Sequence, residues 1–143
     1  MRTVRQLLEI KGGRAIAIAP EEPVLEAIQL MADHHIGAVL VMRGNELIGI
    51  LSERDYARKV ILKGRASGET AAWEIMSSPV VTVGPQDTVN TCMRVMTDRR
   101  IRHLPVVRDG RLAGIVSIGD LVKHKISEVE AEADGLKQYI AAG

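Results

Sequence analysis

The chain has a single cysteine, Cys92, no phenylalanine, and only 2% aromatic residues among 143 positions. A lone cysteine excludes an intrachain disulfide and any zinc cluster built on cysteines. So few aromatic rings argue against a platform on which nucleic-acid bases stack. The formal net charge is +1, so no strong field draws the chain toward nucleic acid or a membrane surface. No apolar run approaches the roughly 20 residues that span a bilayer. The opening Met1-Arg2-Thr3-Val4-Arg5-Gln6 lacks a secretory core, so the expected location is the cytoplasm. A P-loop, a dinucleotide glycine fingerprint, an H-E-x-x-H motif and a legible Ser/His/Asp set are also missing. The chain is therefore not expected to be an enzyme.

What is present is a repeat. Gly49-Ile50-Leu51-Ser52-Glu53-Arg54-Asp55 returns sixty-five residues later as Gly114-Ile115-Val116-Ser117-Ile118-Gly119-Asp120. At the same offset Pro20 meets Pro85, Met31 meets Met96, Ile36 meets Ile101 and Val41 meets Val106. A repeat of this length is one supersecondary unit used twice. Each unit alone would be marginal, but two can bury a joint apolar face. Apolar residues make up 46% and charged residues 26%, as in ordinary globular domains.

The local patterns predict the same elements in each unit. Thr3 with Gln6 starts a short helix over 3–10 that Gly12-Gly13 ends. Ala15–Ile18 reads as a strand, and helical spacing of Val24, Ala27, Ile28 and Met31 predicts a helix over 23–34. Strands at 38–42 and 47–51 flank the turn Gly44-Asn45, and a helix runs from Glu53 to about Leu62. After a connection over 63–70, a short helix around Trp73 leads into the second unit. There the strands are expected at 80–83, 104–107 and 112–116, with Asp109-Gly110 as a hairpin turn. Helices are expected over 88–98 and from Gly119 past Ile126. An apolar stripe of Leu136, Tyr139 and Ile140 has no counterpart in the first unit and is expected to cap the core or make a subunit contact. The expected division is 1–66, 67–127 and a helical tail over 128–143.

Ser52-x-x-Asp55 and Ser117-x-x-Asp120 each resemble a helix capping box, with Asp where Glu or Gln is usual. The same pair suits a nucleotide, because the helix start favours phosphate and the carboxylate accepts from a ribose diol. Arg54, Arg102 and His103 fall near these strand ends, and Ile16-Ala17-Ile18 and Val81-Thr82-Val83 offer apolar walls for a flat base. The cations Arg54, Arg58, Lys59, Lys63 and Arg65 read first as a solvated face, with phosphate contact as the alternative. His34-His35 lacks metal-ligand spacing, His124 is read as exposed, and Cys92 as small core packing.

These motifs together resemble a tandem pair of CBS domains, a Bateman module. The resemblance rests on Val83-x-Pro85, on Ile101-Arg102-His103-Leu104-Pro105-Val106-Val107, and on Gly114 through Asp120. Its first half rests on Pro20, Ile36-Gly37-Ala38-Val39, Gly49-Ile50 and Ser52 through Asp55. It covers about residues 8 to 127 and is closest in form to small stand-alone bacterial CBS proteins. It implies an α/β (α+β) fold of two β-α-β-β-α units packed through their sheets about a pseudo-twofold axis. It also implies two composite clefts for adenosine nucleotides, AMP above all. One would use Ile16, Ala17, Ile18, Ile36 and Ala38 with His103, Ser117, Gly119 and Asp120. The other would use Val81, Thr82, Val83, Arg102, Leu104 and Pro105 with Gly37, Ser52, Arg54 and Asp55. Because Glu53-Arg54 becomes Ile118-Gly119, the clefts are expected to differ in affinity. The implied function is a homodimeric, non-enzymatic sensor read by a partner protein. The alternatives are a binder of NAD(H), or an adaptor with vestigial clefts.

Overall fold

The computed structural model describes residues 2–142, so the expected ends at residues 1 and 143 lie outside the described residues. Helix α1 (Val4–Lys11) is closed at its start by a capping box between Thr3 and Gln6. Strand β1 (Ala17–Ile18), helix α2 (Val24–His34) and the hairpin β2 (Ala38–Arg43) and β3 (Glu46–Ser52) follow. Helix α3 (Glu53–Tyr56) runs on as a wider turn over Ala57–Ile61, where the Leu62 N–H donates to the Ala57 carbonyl at 3.0 Å. That i→i+5 bond is the signature of a π-bulge. The second unit holds α4 (Ala72–Ile75), α5 (Val89–Arg99), β4 (His103–Arg108), β5 (Arg111–Ser117) and the 25-residue helix α6 (Ile118–Ala142).

The first sheet has the order β1-β2-β3, with β1 parallel and β3 antiparallel to β2. The second unit keeps the antiparallel pair β4-β5 in the same register, with a bulge at the equivalent place. The strand expected over 80–83 is reduced to a single bridge between Val83 and Val106. The reason lies in one substitution between repeats. In the first unit the Leu40 N–H donates to the Ile16 carbonyl at 2.9 Å. Its counterpart in the second unit is Pro105, which has no N–H to give to Val81.

Each unit has its own apolar core, and each core takes a helix from ahead of the other unit. Val4 and Leu7 of α1 lie in the second core with Val89, Cys92, Leu104, Val116 and Leu121. Ala72 and Ile75 of α4 lie in the first core with Val24, Val39, Val41, Leu51 and Val60. Backbone bonds fix both crossings. Val4 N donates to the Asp87 carbonyl at 2.8 Å, and Ala72 N donates to the Glu22 carbonyl at 2.8 Å. The expectation that the tail caps the core is corrected: α6 continues unbroken through it, and Leu136, Tyr139 and Ile140 are exposed. His124, read as exposed, is instead buried on the inner face of α6.

Candidate functional site

Both Ser-x-x-Asp motifs sit where a strand ends and a helix begins, and both are capping boxes. Ser52 has extended backbone (φ −109°, ψ 165°), and its Oγ accepts from Asp55 N at 3.1 Å. In return Asp55 Oδ2 accepts from Ser52 N at 3.0 Å. Ser117 Oγ accepts from Asp120 N at 3.2 Å, and Asp120 Oδ2 accepts from Ser117 N at 2.8 Å. The segments before β2 and β4 hold these helix starts in place. Glu53 N donates to the Gly37 carbonyl at 3.0 Å, and Ile118 N donates to the Arg102 carbonyl at 2.8 Å.

A cavity of about 760 Å³ opens between the two units. From the first unit it is lined by Gly37, Ile50, Ser52, Glu53, Arg54, Asp55 and Arg58. The segment Ser77, Pro79, Val80 and Val81 forms one wall, and Arg99 through His103 forms another. Ser117, Ile118 and Gly119 complete it. Arg54 ties the walls together, because its Nη1 donates to the Arg100 carbonyl at 2.9 Å. Five arginines (Arg54, Arg58, Arg99, Arg100 and Arg102) thus line one cavity with Glu53 and Asp55. This is a strongly cationic pocket on a chain whose net charge is close to zero.

The structure gathers residues from both expected clefts into this one space. Gly37, Ser52, Arg54, Asp55, Val81 and Arg102 come from one set, and His103, Ser117 and Gly119 from the other. The side chains of Ile18, Ala38, Val83, Leu104 and Pro105 are buried and do not line it. Ile16, Ala17, Ile36, Thr82 and Asp120 also lie off its walls. Asp120 is engaged elsewhere: Lys11 Nζ donates to its Oδ2 at 2.6 Å and to the Ile115 carbonyl at 2.8 Å. Asp55 has longer contacts, with Lys59 Nζ at 3.0 Å and Ser77 Oγ at 3.2 Å from its Oδ1.

Charge follows from these contacts. Burial works against the Asp120 carboxylate, but the Lys11 ammonium and the Ser117 donors outweigh it and hold the carboxyl below its ordinary range. Burial, the Lys11 ammonium and the Arg102 guanidinium lower the His103 pKa against the pull of Asp120. His103 is therefore neutral at pH 7 and offers a ring nitrogen rather than a charge. Its ring lies against Gly37, where an added Cβ would meet His103 Cε1 at 3.4 Å.

Several of these residues escaped the sequence reading. Arg99 and Arg100 are not among the expected site residues, although Arg99-Arg100-Ile101-Arg102 places three cations just ahead of β4. Arg58 belongs to the run read first as a solvated face; Arg54 and Arg58 reach the cavity, while Lys59 and Arg65 pair with Asp55 and Glu74. Lys11 carried no signal, since its counterpart one repeat on is Met76.

Two similar units, sheet hairpins capped by Ser-x-x-Asp helix starts, and a shared cavity define a tandem-repeat module. The CBS domain family model matches residues 11–62 and again 72–127, and the chain belongs to the CBS-domain family. CBS-domain pairs generally bind adenosine ligands in regulatory roles. The chain is 37% identical over 150 residues to the mitochondrial CBS domain-containing protein CBSX3 of Arabidopsis thaliana, covering 99% of this chain and 73% of that protein. A crystal structure of a CBS-domain containing protein from Agrobacterium tumefaciens is 38% identical with a TM-score of 0.83, covering 87% of this chain and 99% of that one. A CBS domain pair in complex with 5′-methylthioadenosine and S-adenosyl-L-methionine shares the fold at 23% identity and a TM-score of 0.79, over 90% of this chain and 98% of that one. Among the described residues no helix is long and apolar enough to cross a membrane.

Proposed function

We propose that this chain is a non-enzymatic sensor that binds an adenine nucleotide of the AMP type between its repeats and acts as a homodimer on a partner protein. The observation that carries this reading is the cavity in which Asp55, an apolar wall and five arginines converge. The base would lie against Pro79, Val80 and Val81, where the Val81 carbonyl lacks the donor that Ile16 receives from Leu40. Asp55 would take the ribose diol, exchanging its bonds to Lys59 and Ser77 for the two hydroxyls. The arginines would hold the phosphate through paired N–H donors. This set of groups binds and orients; it does not activate a nucleophile.

Unequal clefts are supported by the two carboxylates: Asp55 lines the cavity, whereas Asp120 lies off its walls and is held by Lys11 at 2.6 Å, shorter than the 3.0 Å contact of Lys59 with Asp55. Five arginines exceed what a single phosphate needs, which favours NAD(H) as the second reading. The bound complex of the structural relative with two adenosyl compounds is in keeping with an adenosine-recognising fold. The test is thermal unfolding of nucleotide-stripped protein with AMP and with NADH. AMP should raise the midpoint in the wild type and much less in Arg102→Ala, and NADH should compete for the same site. No shift with either nucleotide would favour the adaptor role.

A further inference from the structure

We propose that α6 carries a self-association surface, on which a second copy of this chain docks to form a parallel two-stranded coiled coil over residues 122–140. The inference rests on the homodimer proposed above and names its contact. Val122, Ile126, Val129, Ala133, Leu136 and Ile140 follow one another at alternating spacings of four and three. This is a heptad seam, the period of left-handed supercoils rather than of a helix buried against a globular core. The opposite face of α6 is the one that packs on the body: Leu121 is fully buried, and His124 is 7% exposed. The seam therefore points outward, and Val129, Leu136 and Ile140 are 61%, 60% and 68% exposed.

Charge selects both the occupant and its direction. With Ile126, Ala133 and Ile140 at a positions, the flanking g and e positions hold Lys125, Glu130, Glu132 and Lys137. In a parallel pair each g residue faces the e residue five places on in the other chain. Lys125 then meets Glu130 of the second copy, and Glu132 meets its Lys137. Every such pair is of opposite sign and occurs twice by symmetry. A fully overlapped antiparallel pair would instead set Lys123 against Lys137, Glu130 against Glu130 and Glu132 against Glu132. An antiparallel pair slipped by one heptad to match charges would leave one end of the seam uncovered, Leu136 and Ile140 for one slip and Val122 and Ile126 for the other. Lys125 is only loosely held within its own helix, 3.9 Å from Glu128 Oε2, so it is available to a partner.

The test uses the full chain. Sedimentation equilibrium should give twice the 15.6 kDa chain mass for the wild type and the single-chain mass for Leu136→Glu. Leu136 is exposed, so the thermal midpoint of the monomeric body should be retained, which separates dissociation from misfolding. Ile140→Cys should form an interchain disulfide under mild oxidation, since a residues face each other in a parallel pair; Cys92 is buried and does not compete. Exchange of charge in Lys125→Glu should weaken the dimer, and adding Glu130→Lys should restore it. A dimer that survives Leu136→Glu and gives no Ile140→Cys crosslink would overturn this surface while leaving a dimeric sensor standing. A wild-type monomer would overturn both. A dimer broken by only one of Ile126→Glu and Leu136→Glu would indicate a slipped antiparallel pair and overturn the parallel one.

Discussion

Lys11 meets Asp120 from the end of α1, 109 residues away in sequence, while Lys59 meets Asp55 from the next turn of the same helix. The first contact is short and half-shielded, and it sets the charge of the group it touches. The folded Asp120 carboxyl is held below its ordinary value. Its contribution to stability is therefore complete above the unfolded carboxyl pKa of about 3.9 and is lost as pH falls through the lower folded value. Wild type should unfold at a higher temperature than Asp120→Asn from about pH 8 to about pH 5, and the gap should close below about pH 4. A thermal unfolding series across that range checks the sign. Cys92 behaves oppositely. Burial, reinforced by the Asp87 carboxylate, pushes its thiol up to about 11. A thiol reagent at pH 8 should label it only after the protein is unfolded, because the thiolate is the reactive form.

The linking segments decide how the two units meet. Gly13 lies so close to β5 that a Cβ there would stand 2.7 Å from the Ala113 carbonyl oxygen. Backbone cannot swing aside as a side chain can. Gly13→Ala should cost about 1–3 kcal/mol, seen as a lower denaturant midpoint. Helices and hairpins were legible in the sequence because their signals are local. Thr3 with Gln6 announced α1, the spacing of Val24, Ala27 and Met31 announced α2, and Asp109-Gly110 announced the second hairpin, where both residues have positive φ. The strand at 80–83 was misread because its apolar run is intact, while the missing donor sits at Pro105, some twenty-five residues on. Ser52 and Asp55 could be named from the repeat, since they recur as Ser117 and Asp120, and Arg54 and Arg102 from their places near strand ends. Arg99, Arg100 and Lys11 could not, because their roles arise only when one unit folds against the other.

Across the whole molecule, the exchanged helices make each unit incomplete without the other. Ala72 and Ile75 are fully or almost fully buried in the first core although they follow it in sequence. A fragment ending at residue 66 lacks them, and its circular dichroism should show no cooperative thermal transition. The same exchange gives a bound nucleotide something to act on. The cavity is walled by both units, so a ligand in it contributes free energy to their relative placement, and only a difference in affinity between two placements transmits a signal. The most direct measurement is calorimetric titration of nucleotide-stripped protein with AMP, beside Asp55→Ala and Asp120→Ala. Binding should be saturable, and Asp55→Ala should weaken it at least tenfold, from loss of charge-assisted hydrogen bonds of about 1.5–3 kcal/mol. Asp120→Ala should leave the affinity nearly unchanged, because Asp120 lies off the cavity walls and pairs with Lys11. Binding that survives Asp55→Ala but is lost in Asp120→Ala would contradict this reading.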